Sequence, residues 1–382
     1  MSDDSHRLKV MFDLSIVPHA LGGVSRYLTS LWKALASTAP DHDIEILPVD
    51  VPAAHPGVPG ALSKSVRLDD PFYLRIPYLR RAPIRLGWEQ RSRPMRLSAL
   101  QTGCDLYHHS GVQPFHPPGS LSVLTMYDLT AIEHPDWHTA ETVCFAEREK
   151  AMLLSGSAAA AISGWTAERA VELLQLDPLV VRPIGGAADD LFTPGDPEPD
   201  IMAKHILAPG GYLLHVGNFV PRKNIPFLLK AYSAARKQSG FDLPLVLVGA
   251  GGWGGIDPQS SEGVTVLRGI DDSDLLQLYR GARALMFPSQ CEGLGLPALE
   301  ALACGTPVIA SCAAALPETI GGNGVLIEPG DEDAWVGEMT GISGDGRYAE
   351  LKDLALKASY RRRTWTDVAA ALCQFYRDLA SE

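Results

Sequence analysis

Pro288-Ser-Gln-Cys-Glu292-Gly-Leu-Gly-Leu-Pro-Ala-Leu-Glu300 is the stretch on which the fold of this chain turns. The apolar run Ala284–Phe287 before it reads as a strand. Pro297–Ala303 reads as a helix whose proline suits the first turn. A glycine-containing loop between a strand end and a helix start offers backbone N–H groups and a positive helix end to an anion such as a diphosphate. Gly293 and Gly295 let the backbone approach a ligand closely. Glu292 is expected in the loop, facing a cleft, and Glu300 near the end of the first helical turn. Carboxylates are good acceptors for sugar hydroxyls. Taken alone, the pair also fits an ordinary strand–turn–helix with surface glutamates.

Outward from this stretch, strands and helices alternate, which is the signature of α/β layering. Tyr212–Val216, Leu243–Val248, Val264–Leu267 and Val308–Ala310 read as further strands, Ile225–Arg236 and Asp274–Ala282 as helices. Upstream, Thr193–Asp200 is dense in proline, glycine and aspartate and reads as a linker. Before it lies a second alternating half. Lys9–Leu14, Ser122–Tyr127 and Ala158–Ile162 are its expected strands, and Val24, Tyr27, Leu28, Leu31 and Leu35 recur at helical spacing after the turn Leu21-Gly22-Gly23. The expectation is two Rossmann-like domains facing a central cleft, residues 1–190 and 191–362. A final helix, about Thr366–Leu379, follows Arg361-Arg362-Arg363.

The chain has 382 residues and a net charge of −12, enough length for two cores and the wrong charge for a dedicated nucleic-acid binder. Six scattered cysteines with no CxxC pair suggest neither a disulfide framework nor a zinc site. The opening MSDDSHRLKV lacks the features of a signal peptide, and no apolar run approaches the ~18 residues of a membrane span. A cytoplasmic protein is expected. Asp-x-Asp occurs at 41–43, 272–274 and 331–333, an unsurprising number in an acidic chain, and no metal is assigned.

The pattern PSxxEGxGxPxLEAxAxGxPVIAS over Pro288–Ser311 resembles the retaining glycosyltransferases of the GT-B fold, specifically their large family four. The resemblance implies that Glu292 faces the donor sugar and Glu300 binds the nucleotide ribose, with Gly293, Leu294 and Gly295 between them lining the donor site. His215-Val-Gly-Asn218-Phe-Val-Pro-Arg222-Lys223-Asn224 is similar to the family's diphosphate loop, which makes Lys223 the cation on the leaving phosphates. Asn218 stands where many members carry arginine, and Arg222 is a candidate to replace it. Gly269 and Ile270, in Arg268-Gly-Ile270, resemble the loop facing the base, and Gly22-Gly23 resemble the glycine loop over the phosphates. Met126-Tyr-Asp128 sits where His-Asp is common, so Tyr127 replaces a histidine. The resemblance also implies that the C-terminal helix, 363–382, crosses back onto the first domain.

The implied chemistry is retaining transfer of a sugar, with mannose from GDP-mannose as the lead, to a glycan or lipid-linked acceptor in polysaccharide synthesis. No metal and no cofactor are needed, because Lys223, Arg222 and the glycine loops meet the phosphate charge. Asp128 is the candidate base or sugar-positioning residue, with a turn or N-cap carboxylate as the competing reading. His134 is a weaker cleft candidate, and His108-His109 are set aside because neighbours on a strand diverge. The alternatives are another GT-B enzyme, such as a nucleotide-sugar 2-epimerase or sugar phosphorylase, and a catalytically silent sugar binder. Gly249-Ala-Gly-Gly-Trp-Gly254 satisfies GxGxxG after a strand, but the turn-like stretch behind it is too short for a dinucleotide crossover. Between Pro71 and Arg96, seven arginines (Arg75 to Arg96) stand against Glu89 alone, interleaved at first with aromatics. That patch is a candidate for an anionic membrane surface, which would make the enzyme peripheral on the inner face.

Overall fold

Two six-stranded parallel sheets organise the chain in the computed structural model, which describes residues 7–14, 22–49, 104–110, 119–249, 251–252, 258, 261–360 and 362–381. The first sheet holds β1 (Leu8–Asp13), β2 (Ile44–Val49), β3 (Leu106–His109), β4 (Leu121–Met126), β5 (Ala158–Ala161) and β6 (Val181–Pro183), in the order β2-β1-β3-β4-β5-β6. The second holds β7 (Leu213–Val216), β8 (Leu245–Val248), β9 (Val264–Leu267), β10 (Ala284–Phe287), β11 (Val308–Ser311) and β12 (Val325–Ile327), in the order β12-β11-β10-β7-β8-β9. In the second sheet β7, β8, β10 and β11 are four-residue, mainly apolar runs buried on both faces, as parallel sheets covered by helices require.

The second order is that of a doubly wound dinucleotide-type domain, and it reverses direction between β7 and β10. Ligands of such sheets bind beyond the carboxyl ends of the strands at that reversal. The segments leaving those two strands are Gly217–Lys223 and Pro288–Glu292. Topology alone therefore brings together the two loops singled out in the sequence. In the first sheet the reversal lies between β1 and β3, which turns the Gly22-Gly23 end of its first helix toward the same cleft.

Apolar contacts divide the molecule near residue 187. The first core runs from Val10 to Ala187 and takes in Trp365 to Tyr376, whereas the second begins at Ala188. The last helix, Trp365–Ser381, thus packs on the first domain, against the Gly23–Thr38 helix. Its Trp365 meets Tyr27 edge-on at 4.9 Å, and Tyr376 Oη lies 2.7 Å from His108 Nδ1. Burying each such large side chain contributes about 1.5–3 kcal/mol. Arg362 fixes the crossing by donating to the Phe192 carbonyl at 2.6 Å.

Several sequence expectations need correction. The linker stops short, because Pro199 and Asp200 open the helix Pro199–Lys204. Strands β2, β3, β6 and β12 escape a pattern reading. In β3, His108 and His109 are both fully buried, and His108 Nε2 meets Thr125 Oγ1 at 2.6 Å. Two of the glycines after β8, Gly249 and Gly252, serve backbone packing. A Cβ on Gly249 would lie 2.0 Å from the Gly217 carbonyl oxygen, and one on Gly252 would lie 2.5 Å from that of Phe219. The Arg75–Arg96 patch lies outside the described residues.

Candidate active site

Glu292 sits in the loop after β10, 5% exposed, with one cation on each oxygen. Arg222 NH1 donates to Oε2 at 2.8 Å and to the Cys291 carbonyl at 3.1 Å, and Lys223 Nζ donates to Oε1. The two loops are also joined through their backbones, Gln290 N–H donating to the Arg222 carbonyl at 2.8 Å. Lys223 Nζ lies 4.7 Å from the centre of the Phe287 ring, so the ammonium is held between a carboxylate and an aromatic face. Burial drives Lys223 down to about 8 despite the pull of Glu292, and Arg222 adds to the push. Burial opposes ionisation of Glu292 too, but Arg222 and Lys223 more than offset it and hold the carboxyl at about 2.

Glu300 lies on the helix Leu296–Ala303, 1% exposed. Tyr279 Oη donates to its Oε2 at 2.8 Å. Its Oε1 accepts from Arg26 NH1, which comes from the first domain, and Arg26 NH2 reaches Asp272 Oδ1. Gly295 caps this helix at φ +89°, a conformation side chains rarely adopt, and a Cβ there would also press on Leu316 at 2.7 Å. Gly269 and Ile270 lie just before the helix Asp272–Gly281, so they stand within three residues of the Asp272 that holds Arg26.

The first domain closes on these loops. A Cβ on Gly293 would fall 1.8 Å from the Tyr127 carbonyl oxygen and 3.1 Å from Asp128 Cβ, so this glycine is needed where the two domains touch. Thr166 Oγ1 donates across the same contact to the Gly293 carbonyl at 3.2 Å. Leu294 has its side chain in the first domain's core, against Gly186, which leaves only its backbone for a ligand. The Gly22 end of the first helix faces Asn218, its notional Cβ 3.8 Å from Asn218 Nδ2, and the Cβ of Gly23 would lie 3.8 Å from Leu296. Glu318, on the second domain, accepts from the N–H groups of Gly164 and Trp165 at 2.9 and 3.0 Å, at the start of a first-domain helix.

Asp128 stands at this junction and also realises the turn reading. Its Oδ1 accepts from Thr130 N at 3.0 Å and Thr130 Oγ1 at 2.5 Å. The other candidate of that segment, His134, is exposed and stacked on Trp137, the ring centroids 4.0 Å apart. Two neighbours of Asp128 carry no sequence signal. Burial pushes the Glu149 carboxyl up to about 8, and Asp128 adds to the rise. Burial lowers His138, whereas Asp128 raises it. Arg26, three residues beyond Gly23 in the first turn of its helix, carries no sequence signal either. Among the described residues no group of three or more His, Cys, Asp or Glu side chains is placed to hold a metal, and no helix is long and apolar enough to cross a membrane.

Comparison with known proteins bears on this site. Residues 210–374 match the family model "Glycosyl transferases group 1". Over 386 aligned residues the chain is 28% identical to O-antigen chain mannosyltransferase B of Escherichia coli, covering 97% of this chain and all of that protein. It is 33% identical over 176 residues to the MMP alpha-(1->4)-mannosyltransferase of Mycolicibacterium hassiacum, 41% of this chain and 40% of that one. Among solved structures, sucrose-phosphate synthase from Thermosynechococcus elongatus superposes with a TM-score of 0.72 at 22% identity, over 98% of this chain and all of that one, a likeness of fold. Residues 210–374 are therefore a group 1 glycosyl transferase domain, in a chain that has the two-sheet GT-B fold and is similar along nearly its whole length to O-antigen chain mannosyltransferase B.

Proposed function

We propose that this glycosyltransferase moves mannose from GDP-mannose to a glycan or lipid-linked acceptor, with retention of anomeric configuration and without a metal. The observation that carries the reading is the pair of buried carboxylates, Glu292 and Glu300, at the strand reversal of the second sheet. The diphosphate would lie between the Gly22-Gly23 helix end and the Arg222-Lys223 turn. Breaking the sugar–phosphate bond leaves negative charge on the diphosphate, which Lys223, Arg222 and the helix N–H groups would meet. Two cations and a helix end supply what a divalent ion would otherwise supply, which supports metal independence. Glu292 would then accept from the sugar hydroxyls, and Glu300 from the ribose.

Within retaining transfer, a front-face route is supported over double displacement, because the carboxylates at hand are already engaged. Glu292 is committed to two cations and one oxygen of Asp128 to its own turn. The acceptor hydroxyl would attack from the face the phosphate leaves, passing its proton to that phosphate, while Asp128 orients the sugar. The names of the relatives support mannose over other hexoses. The epimerase and phosphorylase alternatives have no such support. Incubating the protein with GDP-mannose, UDP-glucose or a dTDP-sugar and a mannosylated acceptor tests the donor. Free GDP appearing with an extended acceptor is the expected outcome, and turnover with a different donor alone would replace the GDP-mannose assignment.

A further inference from the structure

Glu300 has a partner on each oxygen, and one of them belongs to the opposite domain. Arg26 reaches over the cleft from the first turn of the Gly23–Thr38 helix, and its two ion pairs, to Glu300 and Asp272, both lie on the second domain. Its guanidinium also stands 5.5 Å from the centre of the Phe192 ring, at the crossing between domains. Glu300 is 1% exposed and Tyr279 fills its other oxygen, so a ribose hydroxyl can reach this carboxylate only where Arg26 now sits.

We infer that Arg26 is an inter-domain latch that competes with the donor nucleoside for Glu300, so that donor binding must evict it and thereby frees the first helix to move. This rests on the reading of Glu300 as the ribose acceptor. A ligand shifts such an equilibrium only by its differential affinity for the two states, and a latched carboxylate lowers apparent affinity by the fraction of molecules in which it is taken. The Asp272 end of the latch is 58% exposed and weakened by solvent, whereas the Glu300 end is enclosed. Arg26 is therefore released in one step at Glu300 rather than peeled from both carboxylates equally.

Calorimetric titration of GDP and of UDP, with whichever binds wild type more tightly used throughout, tests the inference. Arg26→Ala is expected to bind that nucleotide about five- to tenfold more tightly, because Glu300 no longer has an internal competitor. Asp272→Asn, which removes only the exposed anchor, is expected to shift affinity in the same direction by a smaller factor. General damage to the fold would weaken binding, so tightening cannot come from it. Unchanged or weaker binding in both folded variants overturns the latch. Glu300→Gln separates the two ideas. If it binds nucleotide as wild type does, the ribose role of Glu300 fails, and if it weakens while Arg26→Ala does not tighten, only the latch fails.

Discussion

Replacing Lys223 by Met should abolish most turnover while leaving the fold as stable as before. Holding the Lys223 ammonium charged at pH 7, with its pKa near 8 instead of 10.5, costs the fold about 3 kcal/mol. That cost is already net of the attraction of Glu292, whose carboxyl loses one of the two cations that hold it low. Arg222, 2.8 Å from Glu292, is left to hold that carboxylate. Relief of the buried ammonium and the weaker neutralisation of Glu292 oppose each other, and methionine keeps most of the apolar stem against Phe287. The melting temperature should therefore move by no more than about 5 °C. The loss in rate has no such offset. Removing one preorganised electrostatic contact from a developing charge costs about 10²–10³ in turnover. A lysine kept charged at a cost to stability is the mark of a group retained for chemistry. The assay is release of nucleoside diphosphate from the donor, alongside a thermal melt. Turnover within tenfold of wild type, with every donor tried, would refute the reasoning, as would a melting temperature lowered by more than about 10 °C.

Other outcomes follow from the same geometry. Lys223 must be protonated to meet the diphosphate, so kcat/KM for the donor should fall as pH rises through about 8, whereas the fall in kcat lies higher because the bound phosphates favour the ammonium; a flat profile between pH 7 and 9 contradicts this. Gly293→Ala places a methyl against the Tyr127 carbonyl, a clash relieved only by opening the cleft, and overpacking of about 1–3 kcal/mol should lower kcat/KM about 5- to 150-fold while both domains stay folded; full activity would show that this closed contact is unnecessary. The basic segment from Arg75 to Arg96 should bind anionic vesicles in a salt-sensitive way, each residue contributing about 1 kcal/mol, and replacing Arg80, Arg81 and Arg85 with Ser should weaken it. Failure of wild type to sediment with such vesicles at low salt removes the membrane proposal and leaves the transferase intact.

The second domain is legible in the sequence because its loops are punctuated. Each of β7, β8, β10 and β11 is a short apolar run ended by glycine, proline or serine, and Pro297 marks the start of the helix that carries Glu300. The first domain hides more. β3 is four residues long with two histidines, and β6 ends in proline, so neither offers a periodic signal. Lys223 and Glu292 can be named from their motifs, but their pairing is a product of the reversal between β7 and β10. Gly293 reads as room for a ligand, whereas the structure gives that space to Tyr127. Arg26, Glu149 and His138 acquire their interest only from partners brought in by folding, Glu300 and Asp128, which no local pattern reveals.

The central claim is transfer of a sugar from a nucleotide donor with retention at the cleft built by Glu292, Glu300 and Lys223. Proton NMR of the anomeric region, recorded while the enzyme acts on α-configured GDP-mannose and a mannosylated acceptor in excess EDTA, tests it most directly. The expected spectrum shows a new α-linked mannose growing in step with free GDP at an undiminished rate. A β-linked product, or activity that disappears with EDTA and returns with Mg²⁺ or Mn²⁺, would contradict it.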